Sequence, residues 1–511
     1  MSAPVAQHRA SRGRRIMLST GHPGATAAGL SIHARGGTLI DAALAASSAL
    51  TVLLPHATSI GGDLLALYYD AASGTLHALD AAGTAPGAAT ARALADGGPR
   101  RRGIRLAVVP GIARGWEALH GQFGRLAWRD LFEPAIYYAD GAYPLAPAAL
   151  EFFQQCRADL LADTGCAQLF AGVLAGATAT LAQPALAETL RQLAAGGADV
   201  FYRGAVARKL IAHSREAGGL FDESDFASYA VKWRRPLALT YRGYGVHVMP
   251  PSSYGLLLLL QLAALDQHDG ARGGKLGAVR FAAQLAAMRA AFAVGEPHLY
   301  DGAAEEAGFE LKALAGQVQA RLYEDLPQPV EPGGGTACVV GADEHGNMAV
   351  LIQSVFHPFG SAAADAETGV LLNNRMLGFT TGRNAVAPGR RPAHTLCPTI
   401  VLRDGMARIA VASPGGISQT VTLAQFLNNV IDGGHGLADA VDAPRWCLGR
   451  AREVLVAPDY PECERILRRD DDVQVGNDPY FFGSLKAVCR SADGILTGVA
   501  DRRRSAHAFG Y

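Results

Sequence analysis

Residues 327–335 read PQPVEPGGG, and no other stretch limits the possible folds so tightly. Three prolines and three glycines so close together cannot continue a helix, because proline lacks the amide donor and glycine loses the most backbone entropy. The pattern changes across this break. Residues 110–320 are expected to be mainly helical, with amphipathic runs at 115–124, 188–195 and 281–292. Residues 38–54 (TLIDAALAASSALTVLL) predict a buried, Ala-rich helix with Asp41 in its first turn, where a carboxylate suits the helix dipole. Residues 64–70 and 75–79 predict a hairpin around the turn 71–74, and a strand-like insertion at 237–248 precedes PPSSYG. After the break, strands are expected at 337–341, 348–355, 399–403 and 406–411, then a helix at 418–430, then strands at 487–490 and 495–500. The first 14 residues are expected to be a frayed arm.

The chain has 511 residues, 49% hydrophobic and 18% charged, so it can bury a large core and is not disordered in bulk. Lys+Arg and Asp+Glu both number 46, and this zero net charge disfavours a nucleic-acid partner. The 60 glycines cluster at element boundaries, which indicates tight turns rather than low complexity. No apolar core follows the basic start MSAPVAQHRASRGRRIML, and the stretches near 43–54 and 255–265 fall short of the roughly 20 residues that span a bilayer. No membrane association and a cytoplasmic location are therefore expected. The seven cysteines, at 156, 166, 338, 397, 447, 463 and 489, include no CxxC pair, so neither a disulfide framework nor a zinc site is expected.

The chain has no HExxH, no Walker loop, no strand–GxGxxG–helix and no G-x-S-x-G elbow. His56, His357 and His394 lie beside segments of interest, but the histidines show no metal-ligand spacing, and no metal is expected. The informative segment is 333–336 (GGGT). If the Gly335–Thr336 bond is cut, Thr336 becomes an N-terminus whose hydroxyl adjoins its own α-amine. That amine has a reference pKa of about 7.7–8.0 and can accept a proton near neutral pH. Taken alone, the segment reads more simply as a threonine that opens a strand. A second segment, SPGG at 413–416, lies between a strand and a helix, where main-chain N–H groups suit a developing oxyanion; an ordinary turn fits it equally well.

In order along the chain stand HPGATAAGLSIHARGGTLIDAALAASSALTVLLPHATSIGG, VVPGIARGWEALHGQFGRLAWRDLFEPAIYYADGAYPL, FYRGAVARKLI, YRGYGVHVMPPSSYG, GTACVVGADEHGNMAVLIQS, FGS, LLNNRM, PTIVLRDG and SPGG. In this order and spacing the chain resembles the γ-glutamyltranspeptidase family of N-terminal-nucleophile hydrolases, from about residue 17 to the end. The resemblance implies an α/β (α+β) fold, a four-layer αββα sandwich. It implies one intertwined unit made of a large piece, 15–335, and a small piece, 336–511, which associate after self-cleavage between Gly335 and Thr336. It places Thr336 at the nucleophile, Ser354 at a hydroxyl that supports it, and Gly415 and Gly416 at the oxyanion hole. It implies a small-molecule amide substrate and no cofactor.

The substrate pocket departs from the family pattern. Ala82 stands at the position of the arginine that grips a γ-glutamyl carboxylate, and Phe356 replaces an expected asparagine. Leu377 and Gly378 replace acidic residues, and His394 and Thr395 replace paired serines. IQSVF, FGS, NNR and RPAHT are more similar to oxamate amidohydrolase and to the cephalosporin-acylase-like members. Arg375 and Arg391 are then candidates to bind an acidic acyl group, although either could serve a structural ion pair. Two alternatives remain open at this point: a γ-glutamyl hydrolase or transferase with a rebuilt pocket, and an uncleaved binding protein on the same scaffold.

Overall fold

The computed structural model describes residues 10–95, 101–268, 276–322, 324, 326, 334–449, 453–468 and 472–511, so most of the Pro/Gly break lies outside the described residues. The strands of its two large sheets, in chain order, are Ser11–Gly13 (β1), Ile16–Thr20 (β2), Asp63–Asp70 (β3), Thr75–Ala81 (β4), Lys232–Arg234 (β5), Leu237–Tyr241 (β6) and Tyr244–Val248 (β7), followed by Gly335–Asp343 (β8), Met348–Phe356 (β9), Thr399–Arg403 (β10), Met406–Ala412 (β11), Lys486–Arg490 (β12), Leu496–Ala500 (β13) and His507–Gly510 (β14). They form two seven-stranded sheets, ordered β1-β13-β12-β11-β10-β7-β6 and β14-β2-β8-β9-β3-β4-β5. The pairs that build β8 into the second sheet are antiparallel on both sides.

Strand alternation makes the layers. On β8, Cys338, Val340 and Ala342 face the other sheet, while Ala337 and Val339 face a helical layer. That layer contains Pro23–Ala34 (α1), Leu39–Leu53 (α2) and Ile112–Phe123 (α3). Gly255–Gln267 (α4), Ala278–Gly295 (α5) and Ser418–Ile431 (α6) cover the opposite sheet. The result is the expected αββα sandwich. α2 is buried along its whole length and begins with a capping box between Thr38 and Asp41. The Asp41 carboxylate also accepts the amides of Arg125 and Leu126 at 3.0 and 3.1 Å, so it ties down the loop that follows α3.

Both large sheets contain strands from each side of the break. β8 pairs with β2, β9 with β3 and β10 with β7, so cutting the chain before Thr336 leaves continuous ladders between the pieces. Two expectations need correction. The arm is shorter than predicted, because β1 pairs with β13 through Ser11 and Gly498; residues 1–9 lie outside the described residues. The insertion at 237–248 is a hairpin, turned at Arg242 and Gly243, both at positive φ. Among the described residues no helix is long and apolar enough to cross a membrane.

Candidate active site

Thr336 is buried at the start of β8, where the register with β9 shifts between Gly335 and Ala337. Such a bulge re-aims the local chain. It brings the Ser354 hydroxyl to the carbonyl oxygen of Gly335, to which it donates at 2.5 Å, while Ser354 Oγ accepts the amide of Phe356 at 2.8 Å. Ser354 is thus fixed against the peptide group that precedes Thr336. Glycine at 335 has a steric cause: a Cβ there would stand 2.7 Å from the main-chain oxygen of His56 and 3.1 Å from the Cα of Ala57.

Gly415 and Gly416 form the turn between β11 and α6, with φ of 140° and 56°. Both values favour glycine. The turn lies against the segment leading to Thr336, since a Cβ on Gly334 would stand 3.0 Å from the Cα of Gly416 and 3.1 Å from its nitrogen. Ser413 Oγ donates to Pro414 O at 2.9 Å and accepts the Ser484 amide at 3.2 Å, which ties this turn to the segment leading into β12. The expected nucleophile, supporting hydroxyl and glycine pair therefore come together, although they are dispersed in sequence.

A buried polar group adjoins Phe356, the strand partner of Gly335. The Arg375 guanidinium stands over the Phe356 ring at 4.3 Å, and its Nε donates to Asp63 Oδ2 at 2.8 Å. Both Arg375 and Asp63 are inaccessible to water, and the two terminal nitrogens of Arg375 have no hydrogen-bond partner among the described residues. His394 Nε2 is 3.2 Å from Asp63 Oδ2, and Asp63 Oδ1 accepts the Gly83 amide at 2.6 Å. Burial alone would raise the Asp63 carboxyl, but His394 and the Arg375 charge outweigh it and hold the group below the usual carboxylate range. Burial lowers His394, and the Arg375 charge adds to that. Phe356 has φ of 80°, unusual for an aromatic residue, and Thr395 is buried beside His394.

Arg391 departs from the expectation. It is buried, its Nε donates to Ala82 O at 3.0 Å, its Nη2 donates to Ala230 O at 2.7 Å, and the Asp80 carboxylate is 3.4 Å away. Its donors bind main-chain carbonyls, linking Ala82 of the LDAAGTAP segment to Ala230. The convergence of two carbonyls on one guanidinium has no signature in local sequence.

A cavity of about 650 Å³ opens beside Gly334, Gly415 and Ser418, with Phe152, Leu448 and Tyr480 in its walls. Arg102, which the sequence reading missed, shapes its edge by donating to Pro358 O at 2.8 Å and Gly360 O at 2.6 Å. In sequence it is one of a run of basic residues and is indistinguishable from a solvated surface. Asp63 was also missed, although an acid directly after the buried Gly61–Gly62 pair is a usable signal. No group of three or more His, Cys, Asp or Glu side chains among the described residues is placed to hold a metal ion.

Two helix-covered antiparallel sheets, with a hydroxyl residue opening a central strand next to a glycine turn, define an N-terminal-nucleophile amidohydrolase. The structure matches the crystal structure of cephalosporin acylase from Bacillus halodurans with a TM-score of 0.91 at 29% identity, covering 100% of this chain and 99% of that one. The family model described as Gamma-glutamyltranspeptidase matches residues 25–511, and the chain belongs to that family. Among its relatives is the glutathione hydrolase-like YwrD proenzyme of Bacillus subtilis (strain 168), 30% identical over 98% of this chain and 99% of its own length. Another is the oxamate amidohydrolase proenzyme of Klebsiella pneumoniae, 31% identical over 96% of this chain and 97% of its own length. The protein is an amidohydrolase or transferase enzyme of this family.

Proposed function

We propose that the chain is a precursor that cuts its own Gly335–Thr336 bond and then hydrolyses an amide with an acidic, non-glutamyl acyl group, oxamate- or glutaryl-like, through a Thr336 ester. The observation that carries this reading is the hydrogen bond from Ser354 Oγ to the Gly335 carbonyl oxygen. A donor on that oxygen draws electron density from the carbonyl carbon and stabilises the negative charge that develops there. Thr336 Oγ1 attacks, the Gly335–Thr336 bond breaks, and water hydrolyses the resulting ester. The released α-amine of Thr336 then serves as base for the same hydroxyl. The amides of the Gly415–Gly416 turn receive the oxyanion in substrate hydrolysis.

The acyl preference rests on Arg375, whose two unpartnered terminal nitrogens suit the paired oxygens of a carboxylate. Phe356, which lies against the Arg375 guanidinium, His394, which stands by Asp63, and the adjoining Thr395 complete the proposed acyl contacts. A γ-glutamyl group also presents an α-amine, and Asp63, the acid beside Arg375, is already engaged by that residue. None of the seven cysteines is joined in a disulfide, which supports a reducing compartment such as the cytoplasm. The test is a parallel assay of oxamate, glutaryl-p-nitroanilide and γ-glutamyl-p-nitroanilide with the same preparation. The reading requires faster turnover of an acidic non-glutamyl amide, and preference for the γ-glutamyl compound overturns it.

A further inference from the structure

In the uncut chain the nitrogen of Thr336 belongs to the amide being broken. It cannot act as the base, so self-cleavage needs a proton acceptor that the mature enzyme does not. A small cavity of about 30 Å³ adjoins Thr336, and His56, Tyr480, Lys486 and Arg504 also line it. That volume suits about one water molecule. Among the described residues no carboxylate lines the cavity. Two of its lining side chains carry a buried nitrogen with no hydrogen-bond partner, His56 Nδ1 and Arg504 Nε. Lys486 comes from β12 in the opposite sheet and is almost wholly buried. Its Nζ contacts Ser484 O at 2.8 Å and Ser484 Oγ at 2.9 Å, and the Ser484 amide is the one bonded to Ser413 of the glycine turn.

We propose that Lys486 is the proton acceptor for self-cleavage, reached from Thr336 through one water bound in this cavity. The water has four partners there: it accepts from Arg504 Nε and the Thr336 hydroxyl, and it donates to His56 Nδ1 and the unprotonated Lys486 amine. As Thr336 Oγ1 bonds to the Gly335 carbonyl carbon, its proton passes through the water to Lys486 Nζ. When the carbon–nitrogen bond breaks, the same proton returns to the departing Thr336 nitrogen, leaving a free amine and an ester. A second water then hydrolyses that ester to the Gly335 carboxyl group and the Thr336 hydroxyl.

The surroundings make an uncharged Lys486 accessible near neutral pH. Burial lowers its ammonium to about 8; Cys338 on β8 and Asp501 oppose the shift, while the Arg504 and Arg445 charges assist it. Across the cavity, burial holds His56 neutral, at about 3, so it accepts a hydrogen bond but stores no proton near neutral pH. Tyr480 is raised by burial and stays neutral.

The inference rests on the reading of Thr336 as the nucleophile. The test is pulse-labelled cell-free synthesis of the full chain, followed by transfer to buffers from about pH 6 to 9 and a denaturing-gel time course. The wild-type cleavage rate is expected to rise with pH through a midpoint near 8. K486M and K486R are expected to slow cleavage by about 100-fold or more and to lose that midpoint. K486R keeps the charge and most of the volume, and thermal unfolding monitors whether each variant folds. Wild-type speed in a folded K486M or K486R, or no midpoint between about 7 and 9 in the wild-type chain, overturns the proposal. T336A is run alongside: cleavage of T336A defeats the nucleophile reading itself, whereas an inert T336A with a rapid K486M defeats only the role of Lys486.

Discussion

The Ser354 hydroxyl donates to the carbonyl oxygen of Gly335, so the amide before Thr336 carries a polarising donor in the uncut chain. S354A is expected to slow precursor cleavage by roughly 10²-fold, the effect of losing one such donor in other enzymes. S354T retains the hydroxyl and is expected to cleave within about tenfold of wild type. A time course of the full-length band measures both, and an unchanged S354A rate contradicts this role.

Steric reasoning gives a second expectation. In G335A the new methyl would lie 2.7 Å from the His56 carbonyl oxygen, so the scissile peptide must move away from Ser354. Cleavage is expected to be lost or strongly slowed while the fold, read by circular dichroism, is retained. G416A tests the turn instead. At φ of 56° an added Cβ costs about 1–2 kcal/mol and displaces the amides proposed to bind the oxyanion. Amide hydrolysis should fall in G416A, measured as kcat.

The Arg375–Asp63 pair makes separate predictions for stability and for substrate. Removing one partner of a buried ion pair strands the other charge, so R375M is expected to lose about 3–5 kcal/mol in denaturant unfolding. The Asp63 carboxyl lies lower in the folded chain than its unfolded value of about 3.9. Its contribution is therefore complete above that value and is lost as pH falls through the folded pKa. D63N should flatten the acid limb of the stability curve below about pH 4. For substrates, R375Q is expected to lower kcat/KM for oxamate or glutaryl amides by about 10- to 100-fold, equivalent to about one charged hydrogen bond. A neutral acyl amide should be affected far less. Equal losses on both substrates contradict a carboxylate contact.

The sequence carried the parts of this molecule that depend on local periodicity or on ordered motifs. The hairpin at 63–81, the strands Thr399–Arg403 and Met406–Ala412 and the helix Ser418–Ile431 follow from alternation and helical spacing. The group Thr336, Ser354, Gly415 and Gly416 followed from motif order, and these residues lie close together around β8, β9 and the α6 turn. Long-range placement was not legible. The closing strand HAFG has too short a pattern to announce itself, and its pairing of Gly510 with Met17 joins the two ends of the chain. Arg391 looked like Arg375, yet one is spent on main-chain carbonyls and the other keeps two nitrogens unpartnered. Lys486 sits in an ordinary strand sequence, and only the packing of two sheets brings it to the cavity beside Thr336.

The central claim is that Thr336 makes its own amino terminus and then acts from it. Intact-mass analysis and amino-terminal sequencing of purified wild-type and T336A protein test this directly, with oxamate and glutaryl-p-nitroanilide hydrolysis assayed on the same samples. Wild type is expected to give two fragments, the smaller beginning with Thr336, and T336A a single full-length chain that hydrolyses neither compound. Two fragments from T336A, or a small fragment that begins at any other residue, would contradict it.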